Sequence, residues 1–219
     1  MFRNARDGKT RKDRLLARGF RDILHTVGHF LRAPQEIGAI LPSSPYLARR
    51  MLKAVHLENA RIVVELGAGT GAITTELLNR IEAKTRLIII DSNAEAISIL
   101  RQRLPDRENL TLIHGDAREL QSLLQSMQIA RVDAIVSSLP YASMSEETVN
   151  QILSQSAQLL ADTGHFVAFQ YTPVIKRILK IHFEIHHSEI EFINFPPAIV
   201  YLCKSHNVKR NEKFIKKSA

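Results

Sequence analysis

The sequence predicts an α/β protein in which helices cover both faces of a mostly parallel, seven-stranded sheet. Three observations support this prediction. Short apolar runs alternate with helical patterns from residue 61 onward, a glycine-rich bend follows the first run, and the last two runs have no full helix between them. Alternating strands and helices are typical of a doubly wound parallel sheet, whereas directly connected strands pair antiparallel. The 219 residues, 45% of them hydrophobic, have room for one such domain with a small appendage.

The pattern places each element in turn. We expect strands at residues 61–66, 86–91, 110–113, 132–137, 164–171, 182–192 and 198–203. We expect helices at residues 46–55, 71–82, 93–104, 117–127, 145–161 and 174–180. Asn194-Phe195-Pro196-Pro197 separates the last two strands, and its two prolines are expected to fix the turn of an antiparallel hairpin.

An amphipathic helical extension is predicted ahead of this domain. From Asp13, a suitable N-cap, to Arg32, apolar residues recur on one third of the helix circumference and basic residues on the opposite third. A basic amphipathic helix with aromatic residues on its apolar face is typical of a helix lying in a membrane interface. Docking of the same stripe on the domain fits the pattern equally. We therefore divide the chain into an extension and linker (1–56), a domain (57–204) and a tail (205–219).

Positive charge is concentrated at the two ends of the chain. Of the net charge of +8, residues 1–32 carry +6 and residues 204–219 carry +5, so the remainder is mildly acidic. Such ends favour an anionic polymer or an anionic membrane surface, although two solvated tails would have the same composition. We find no apolar stretch of the ~20 residues needed to span a membrane and no secretory signal, and we expect a cytoplasmic protein. The single cysteine, Cys203, excludes an internal disulfide.

A ligand site is predicted where the first three strands end. The first strand leads into Gly67-Ala68-Gly69-Thr70-Gly71, whose glycines let main chain approach a ligand that side chains would block. Asp91 ends the second strand, where a carboxylate can accept both hydroxyls of a ribose. Asp116 follows the third strand. Open α/β sheets bind ligands at this edge, although the glycines alone would also fit a tight turn without a ligand.

The glycine loop, with Glu65 on the strand before it, resembles that of class I S-adenosylmethionine-dependent methyltransferases. The resemblance implies a Rossmann-like seven-stranded sheet, S-adenosylmethionine as cofactor and S-adenosylhomocysteine as product. It also implies that Glu65 approaches the methionine amino group, that the loop contacts the carboxypropyl chain and ribose, and that Asp116 receives the adenine amine. The residues expected to bind the cofactor are Glu65, Gly67, Ala68, Gly69, Thr70, Gly71, Asp91, Ser92, Asp116, Ala117 and Ser137.

The segment Val136-Ser137-Ser138-Leu139-Pro140-Tyr141 resembles the Asn-Leu-Pro-Tyr motif of ribosomal RNA adenine dimethyltransferases. In that family the Asn side chain and the carbonyl beside Pro hold the planar amine, and the aromatic ring stacks on the base. Ser138 stands where the family has Asn. Because the sequence stops soon after its last predicted strand, we do not expect the helical RNA-binding domain that follows the catalytic fold in those enzymes.

A closer resemblance, from about Phe30 to Tyr201, is to bacterial phospholipid N-methyltransferases of the soluble, membrane-associating type. Besides the glycine loop, it is carried by Phe30-Leu31-Arg32, Gly38-Ala39-Ile40-Leu41-Pro42-Ser43-Ser44, Val136-Ser137-Ser138-Leu139-Pro140, Phe169-Gln170-Tyr171 and Asn194-Phe195-Pro196-Pro197-Ala198. Asp91 stands where some members have Glu, and Tyr141 replaces an aliphatic residue. The resemblance implies stepwise methylation of phosphatidylethanolamine towards phosphatidylcholine. It also implies peripheral attachment to an anionic phospholipid surface, at the inner face of the cell membrane, through residues 13–32.

Methyl transfer from a sulfonium is an in-line displacement, so alignment and desolvation can supply much of the catalysis. We expect Tyr141 and Tyr171, with Tyr46, to line a pocket whose ring faces hold the amine as it becomes cationic. Partial burial with a satisfied hydroxyl is the equal alternative for each tyrosine. The expected catalytic residues are Tyr141, Tyr171 and Ser138. The expected substrate-binding residues are Ser43, Ser44, Tyr46, Arg49, Leu139, Pro140 and Pro197, with a serine or Arg49 meeting a lipid phosphate.

The sequence leaves three functions open. Phospholipid N-methylation is favoured, and methylation of RNA adenine or of another small amine is the alternative enzyme function. A silent methyltransferase-like scaffold that binds membrane or nucleic acid through its basic ends is the third. The intact glycine loop and the three acids favour an active enzyme, with nucleic acid the less favoured substrate and no obligate protein partner evident. No metal is expected, since the paired histidines lack a carboxylate or cysteine at ligand spacing.

Overall fold

The fold consists of one seven-stranded sheet with helices packed on both faces. The computed structural model describes residues 44–206 except 54, 56 and 195. The predicted helix at 13–32, Ser43 and the basic tail after residue 206 lie outside the described residues. The strands are β1 (Ile62–Leu66), β2 (Arg86–Asp91), β3 (Leu110–His114), β4 (Val132–Ser137), β5 (Leu160–Gln170), β6 (Phe183–Glu191) and β7 (Ala198–Ser205). The helices are α1 (Pro45–Lys53), α2 (Ala72–Leu78), α3 (Ala94–Arg103), α4 (Leu120–Ser126), α5 (Glu146–Leu159) and α6 (Lys176–His182).

The strand order confirms the predicted sheet. The strands lie in the order β3-β2-β1-β4-β5-β7-β6. Strands β1 to β5 pair in parallel, whereas β7 is antiparallel to both of its neighbours, β5 and β6. Strand β6 therefore runs in the same direction as β5. We call the edge at which β1 to β6 end the carboxyl edge of the sheet.

Alternate residues of the central strands belong to two separate cores. Val64 and Leu66 of β1 pack in the core beneath α4, α5 and α6, whereas Val63 packs in the core beneath α1, α2 and α3. Ile88 and Leu87 of β2 divide between the cores in the same way. Strands buried on both faces must be apolar throughout, which explains the continuous apolar runs in the sequence.

The boundary between α5 and β5 differs from the prediction. The helix ends at Leu159 and the strand begins at Leu160, four residues before the expected start at 164. Leu160 is buried and pairs with Val132, and the register then shifts before Ala134 pairs with His165. The residues between Leu160 and His165 therefore form an irregularity within the strand. The strand begins early because Leu160 is buried and paired with β4.

Helices α4 and α6, which pack on the same face of the sheet as α5, are each preceded by a short 3-10 turn. Residues Ala117–Glu119 precede α4, and residues Pro173–Ile175 precede α6. The side chain of Asp116 caps the first of these turns by accepting a hydrogen bond from the Arg118 amide at 2.8 Å. The predicted helices at 117–127 and 174–180 are thus present, but each starts with a tighter turn.

Helix α1 packs against α2 and β7 through Leu47, Ala48, Met51 and Leu52, which are buried. Its first turn is capped by the Ser44 hydroxyl, which accepts a hydrogen bond from the Leu47 amide at 3.1 Å. This packing fixes the start of the helix at the carboxyl edge of the sheet, beside the loop between β6 and β7.

The aromatic pair beneath the hairpin provides a test of the core. The ring of Phe166 is fully buried and stacks on Phe183 with 4.7 Å between ring centroids. Phe166→Ala is expected to lower the free energy of unfolding by about 3–5 kcal/mol, because it removes this contact and leaves a cavity. The matched control Phe192→Ala, at a side chain that is 70% exposed, should change it by less than about 0.5 kcal/mol. Urea unfolding followed by circular dichroism measures both values, and equal losses would contradict the core position of Phe166.

Candidate active site

Three glycines shape the bend between β1 and α2. Gly67, Gly69 and Gly71 have φ values of 79°, 51° and 84°, in the left-handed region that favours glycine. A Cβ atom on Gly71 would lie 2.6 Å from Cδ2 of Leu100, whereas a Cβ on Gly69 would meet nothing within 4 Å. Gly71 is therefore needed for packing, while the middle of the bend faces open space where a ligand can approach main chain.

Asp91 at the end of β2 lies beside the middle of this bend. Its Oδ2 accepts a hydrogen bond from the Gly69 amide at 3.0 Å, and its Oδ1 accepts one from the Asn93 amide at 2.8 Å. Each carboxylate oxygen retains a further lone pair. The carboxylate is thus fixed in place and can still accept a pair of hydroxyl groups.

Glu65 is fully buried next to the bend. Its Oε2 accepts a hydrogen bond from the Thr74 hydroxyl at 2.7 Å, while Oε1 has no partner among the described residues. Burial raises the pKa of Glu65 to about 8 against the opposing Thr74 hydrogen bond, and the charge of Asp91 adds to the rise. The carboxyl group is consequently protonated at neutral pH in the ligand-free protein. An unpartnered buried oxygen is uncommon in native structures and here indicates a ligand that brings a donor.

A cavity of about 140 Å³ opens between the ends of β2 and β3 and the loop after β4. Its lining combines polar and large apolar side chains. The polar ones are Asp91, Ser92, Asp116, Arg118 and Thr148, and the large apolar ones are Ile90, Leu139, Met144 and Ile152. A cavity lined by apolar side chains with a few polar groups suits a flat heterocycle. The cavity also contacts Ala117, so it brings together four of the residues expected to bind the cofactor.

Arg118 was not expected at this site. Its Nε and Nη2 atoms donate to Oδ2 of Asp116 at 2.8 and 2.6 Å. The Arg118 guanidinium beside Asp116 holds the pKa of that carboxyl below its usual range. Asp116 therefore stays ionised, and a ligand amine would share this carboxylate with Arg118.

Of the two positions expected for Tyr141, the structure shows the buried one, with its hydroxyl paired inside the protein. Its ring is buried in the core beneath α5, and its hydroxyl is hydrogen-bonded to the Ser137 hydroxyl at 2.8 Å. Burial raises the pKa of Tyr141 well above its usual range. The ring therefore does not line an open pocket. Its hydroxyl is hydrogen-bonded inside the protein to Ser137, the last residue of β4. Ser137 is also fully buried, so its side chain faces Tyr141 rather than the cavity.

The loop after β4 is closed by hydrogen bonds from its own surroundings. The carbonyl of Leu139 accepts from the Tyr141 amide at 2.9 Å and from Nε2 of Gln170 at 2.8 Å. The Ser138 hydroxyl donates to the carbonyl of Gly67. Both lone pairs of the Leu139 carbonyl and the Ser138 proton are therefore already used within the protein.

Asn194 joins three separate segments near the carboxyl edge. Its Oδ1 accepts from the Ser44 amide at 3.3 Å, and its Nδ2 donates to the Pro196 carbonyl at 2.8 Å. Its side chain also interacts with the Tyr171 hydroxyl, and burial raises the pKa of Tyr171 above its usual value. Tyr171 is half-buried and packs edge-on against Phe169 with 5.6 Å between ring centroids. Ser44, expected to bind substrate, and Tyr171, expected to be catalytic, are thus linked through one side-chain amide.

The other described residues expected to bind the substrate differ in their exposure to solvent. Tyr46 and Pro140 are exposed, and Pro197 is half-buried. Arg49 is exposed, with its Nε 3.6 Å from a carboxylate oxygen of Glu76. The Ser44 hydroxyl caps α1 and so already has a partner. Among the described residues, neither Arg49 nor Pro140 lines the cavity beside Asp91.

Four residues with defined roles at this edge were not assigned them from the sequence: Thr74, Arg118, Gln170 and Asn194. Thr74 could have been noticed as a hydroxyl on an otherwise apolar helix face. Gln170 and Asn194 stood inside motifs that were quoted for resemblance, but nothing in the pattern showed which groups they would bond. Arg118 lies two residues after Asp116, a spacing too common in exposed turns to be informative.

Comparison with known proteins gives the same result as the geometry. Residues 63–164 match the family described as "Methyltransferase domain". The chain is 34% identical over 189 residues to ornithine lipid N-methyltransferase of Singulisphaera acidiphila, covering 84% of this chain and 96% of that protein. It is 28% identical over 97 residues to ribosomal RNA small subunit methyltransferase H of Clostridium botulinum, covering 44% of this chain and 31% of that protein.

A solved structure supports the fold assignment. The N-methyltransferase NodS of Bradyrhizobium japonicum WM9, in complex with S-adenosyl-L-homocysteine, superposes with a TM-score of 0.61 at 16% identity. The match covers 76% of this chain and 91% of that chain.

The described residues fit S-adenosylmethionine as cofactor. The free Oε1 of Glu65 can accept from its ammonium group, Asp91 from its ribose hydroxyls, and Asp116 from its adenine amine. The open space at Gly69 leaves room for the chain between them. When bound, the cofactor supplies an electrophilic methyl group on sulfur.

Cofactor binding is expected to release about one proton at pH 7. An ammonium pairs with an ionised carboxylate, and Glu65, whose pKa burial raises to about 8, must first lose its proton. Affinity for S-adenosylmethionine should therefore rise by up to about tenfold per pH unit from about pH 6 towards pH 8. Calorimetric titration in two buffers of different ionisation enthalpy measures the proton count directly.

Glu65→Gln is expected to remove the proton release and the pH dependence, and to weaken binding. Glu76→Gln makes the same change on α2, at a side chain paired with Arg80. This control should preserve the proton release and the pH dependence of binding. Because the pKa of Glu65 lies above its ordinary 4.5, the free energy of unfolding of the ligand-free protein falls as pH rises from about 4.5 to 8. Glu65→Gln should remove that fall. An affinity independent of pH in the unaltered protein would contradict the assignment of Glu65.

The strand order and the acids at the strand ends are those expected for a class I methyltransferase. The relative that is matched along nearly its whole length shows which family within that class the chain belongs to. The chain belongs to the class I S-adenosylmethionine-dependent methyltransferases, in the same family as ornithine lipid N-methyltransferase.

Proposed function

We propose that this N-methyltransferase acts on the primary amine of a membrane lipid at the membrane surface. Two lipids that carry a primary amine in the headgroup are candidates. Phosphatidylethanolamine, methylated stepwise towards phosphatidylcholine, follows from the sequence motifs. Ornithine lipid follows from the name of the relative that matches along most of both chains.

The observation that carries the proposal is the closed loop after β4. A planar aromatic amine needs a side-chain acceptor and the carbonyl beside Pro140 to hold it in the plane of attack. Here the carbonyl of Leu139 already accepts two hydrogen bonds, and Ser138 donates to Gly67. These groups are therefore committed to the fold, which disfavours adenine and favours a tetrahedral aliphatic amine that needs no planar clamp.

The described residues have distinct roles in this reaction. Glu65, Asp91 and Asp116 position the cofactor, and the apolar side chains of Leu139, Met144 and Ile152 in the cavity lining help to exclude water. Desolvation and alignment are the main contributions that the protein can make to an in-line displacement.

Tyr171 and Tyr46 are proposed to border the entrance for the acceptor. Burial raises the pKa of Tyr171, so its hydroxyl stays protonated and does not act as a base. Its ring can instead attract the amine as positive charge develops there, an interaction worth ~0.5–2 kcal/mol per ring. The exposed Arg49, one helical turn from Tyr46, is proposed to meet a lipid phosphate or carboxylate.

The proposed location is peripheral, at the inner face of the cell membrane, through the basic amphipathic segment 13–32. Within residues 44–206, as far as the structure describes them, no helix is long and apolar enough to cross a membrane. Attachment through an amphipathic helix requires no spanning segment.

Methyl transfer from labelled S-adenosylmethionine tests the proposed acceptor. We expect label in vesicles that contain ornithine lipid or phosphatidylethanolamine, and none in vesicles of phosphatidylcholine, whose amine is already fully methylated. Thin-layer separation of the products shows which lipid is preferred and how many methyl groups are added. Label in ribosomal RNA, with none in any lipid, would overturn the proposal, and label in neither would indicate a silent scaffold.

Tyr171→Ala is expected to lower kcat/KM for the lipid by about 2- to 30-fold, the range that a lost cation–π contact predicts. Affinity for S-adenosylmethionine should stay unchanged, because Tyr171 does not line the cofactor cavity. Tyr171→Phe keeps the ring face and loses only the hydroxyl, and it should retain most of the activity. Equal losses in the two variants would instead assign the role to the hydroxyl.

A further inference from the structure

Four large apolar side chains are exposed on the carboxyl edge of the sheet. Phe192 and Ile193, in the loop between β6 and β7, are 70% and 67% exposed. Val174, in the turn after β5, is 68% exposed, and Tyr46, in the first turn of α1, is 55% exposed. We call these four residues the apolar lip.

The fold gathers the apolar lip from three distant parts of the chain. Strands β5 and β6 run in the same direction, so the loops after them emerge at the same edge. The hydrogen bond from the Ser44 amide to Asn194 holds the start of α1 against the loop that carries Phe192 and Ile193. This is also the edge at which Glu65, Asp91 and Asp116 lie.

Exposed cations lie next to the apolar lip, whereas the carboxylate of Glu191, which precedes Phe192, is buried and lies 3.7 Å from Nε of Arg50. Arg49 lies one helical turn from Tyr46, and Lys176 lies two residues after Val174; both side chains are exposed. Aromatic and aliphatic side chains bordered by cations are typical of surfaces that enter the headgroup region of an anionic bilayer. A single exposed apolar residue needs no explanation, but two consecutive ones in a loop, with two more at the same edge of the sheet, indicate an interaction surface.

We propose that the apolar lip inserts into the interface of a phospholipid bilayer, and so forms a membrane contact of the catalytic domain itself. This inference rests on the proposed lipid acceptor. A lipid amine remains within the headgroup layer, so the carboxyl edge must meet that layer for the amine to reach the cofactor. Insertion of Phe192 and Ile193 turns the edge towards the bilayer and excludes water from the entrance.

The absence of tryptophan from the sequence allows a direct test. Phe192→Trp places a single fluorophore on the apolar lip. Vesicles of phosphatidylethanolamine and phosphatidylglycerol should shift its emission to the blue, and brominated lipid should quench it. The matched control is Ile181→Trp, at a side chain that is 59% exposed near the end of α6, towards the opposite edge of the sheet. Its emission should be unaffected by vesicles.

A second variant connects insertion to membrane binding. Phe192→Ser with Ile193→Ser should weaken sedimentation with these vesicles by about tenfold, because two apolar side chains lose their burial. Affinity for S-adenosylmethionine should stay within about twofold, which shows that the fold is intact. Ile181→Ser should sediment like the unaltered protein.

Three outcomes would overturn the inference. One is no blue shift of Phe192→Trp in vesicles that the protein does bind. Another is equal sedimentation of the double-serine variant and the unaltered protein. The third is an emission that is already blue-shifted without vesicles, which would mean that another part of the chain or a second copy covers the apolar lip.

Failure of the proposed lipid acceptor would be recognised separately. In that case the unaltered protein would not methylate ornithine lipid or phosphatidylethanolamine dispersed in detergent, where no bilayer is needed. Methylation of dispersed lipid together with an unshifted Phe192→Trp would retain the enzyme function and reject only the apolar lip.

Discussion

The carboxyl group of Glu65 is held away from water at the end of β1 with one oxygen unpartnered. Helix α2 packs on the sheet beside it, and Thr74 of that helix serves only the other oxygen, Oε2. The glycine bend keeps the chain short enough for this packing and leaves an opening at Gly69. A ligand that brings an ammonium group into this opening completes the hydrogen bonds that folding left unmade. Affinity for the cofactor and a cost in stability thus have the same origin.

The cofactor side and the acceptor side of the site differ in how many of their hydrogen-bonding groups already have partners within the protein. On the cofactor side, Glu65 and Asp91 present acceptors, and their proximity favours a ligand that carries positive charge. On the acceptor side, the carbonyl of Leu139 and the hydroxyls of Ser138 and Ser137 have internal partners. For the proposed lipid acceptor, specificity would then depend on shape, on aromatic surface and on access from the edge, rather than on unpaired hydrogen-bonding groups.

Much of the fold followed from local patterns in the sequence. The apolar runs that became β1 and β2 are buried on both faces, and such runs have few alternatives in an α/β chain. The glycine bend and Asp91 were predictable because backbone conformation and strand-end position depend on short segments. The start of β5 was not predictable, because burial of Leu160 against β4 outweighed the turn-forming residues after it.

Side-chain partners were harder to predict than elements. Tyr141 stood in a motif where an aromatic ring contacts substrate in other enzymes, yet here its hydroxyl is hydrogen-bonded to the Ser137 hydroxyl inside the core. The Arg118 contact with Asp116 and the Gln170 contact with Leu139 each depend on a geometry that no spacing encodes. In each case a neighbour that the sequence could not place determined what the residue does.

Asn194 has a practical consequence for shortened forms of this chain. Its carboxamide bonds main chain at position 44, although the two residues are 150 positions apart. Cutting the protein at or after that serine would strip a cap from the first helix and leave an interior amide oxygen empty. Catalytic-domain fragments for crystallography should therefore begin upstream of residue 44, even when the basic segment 13–32 is to be removed.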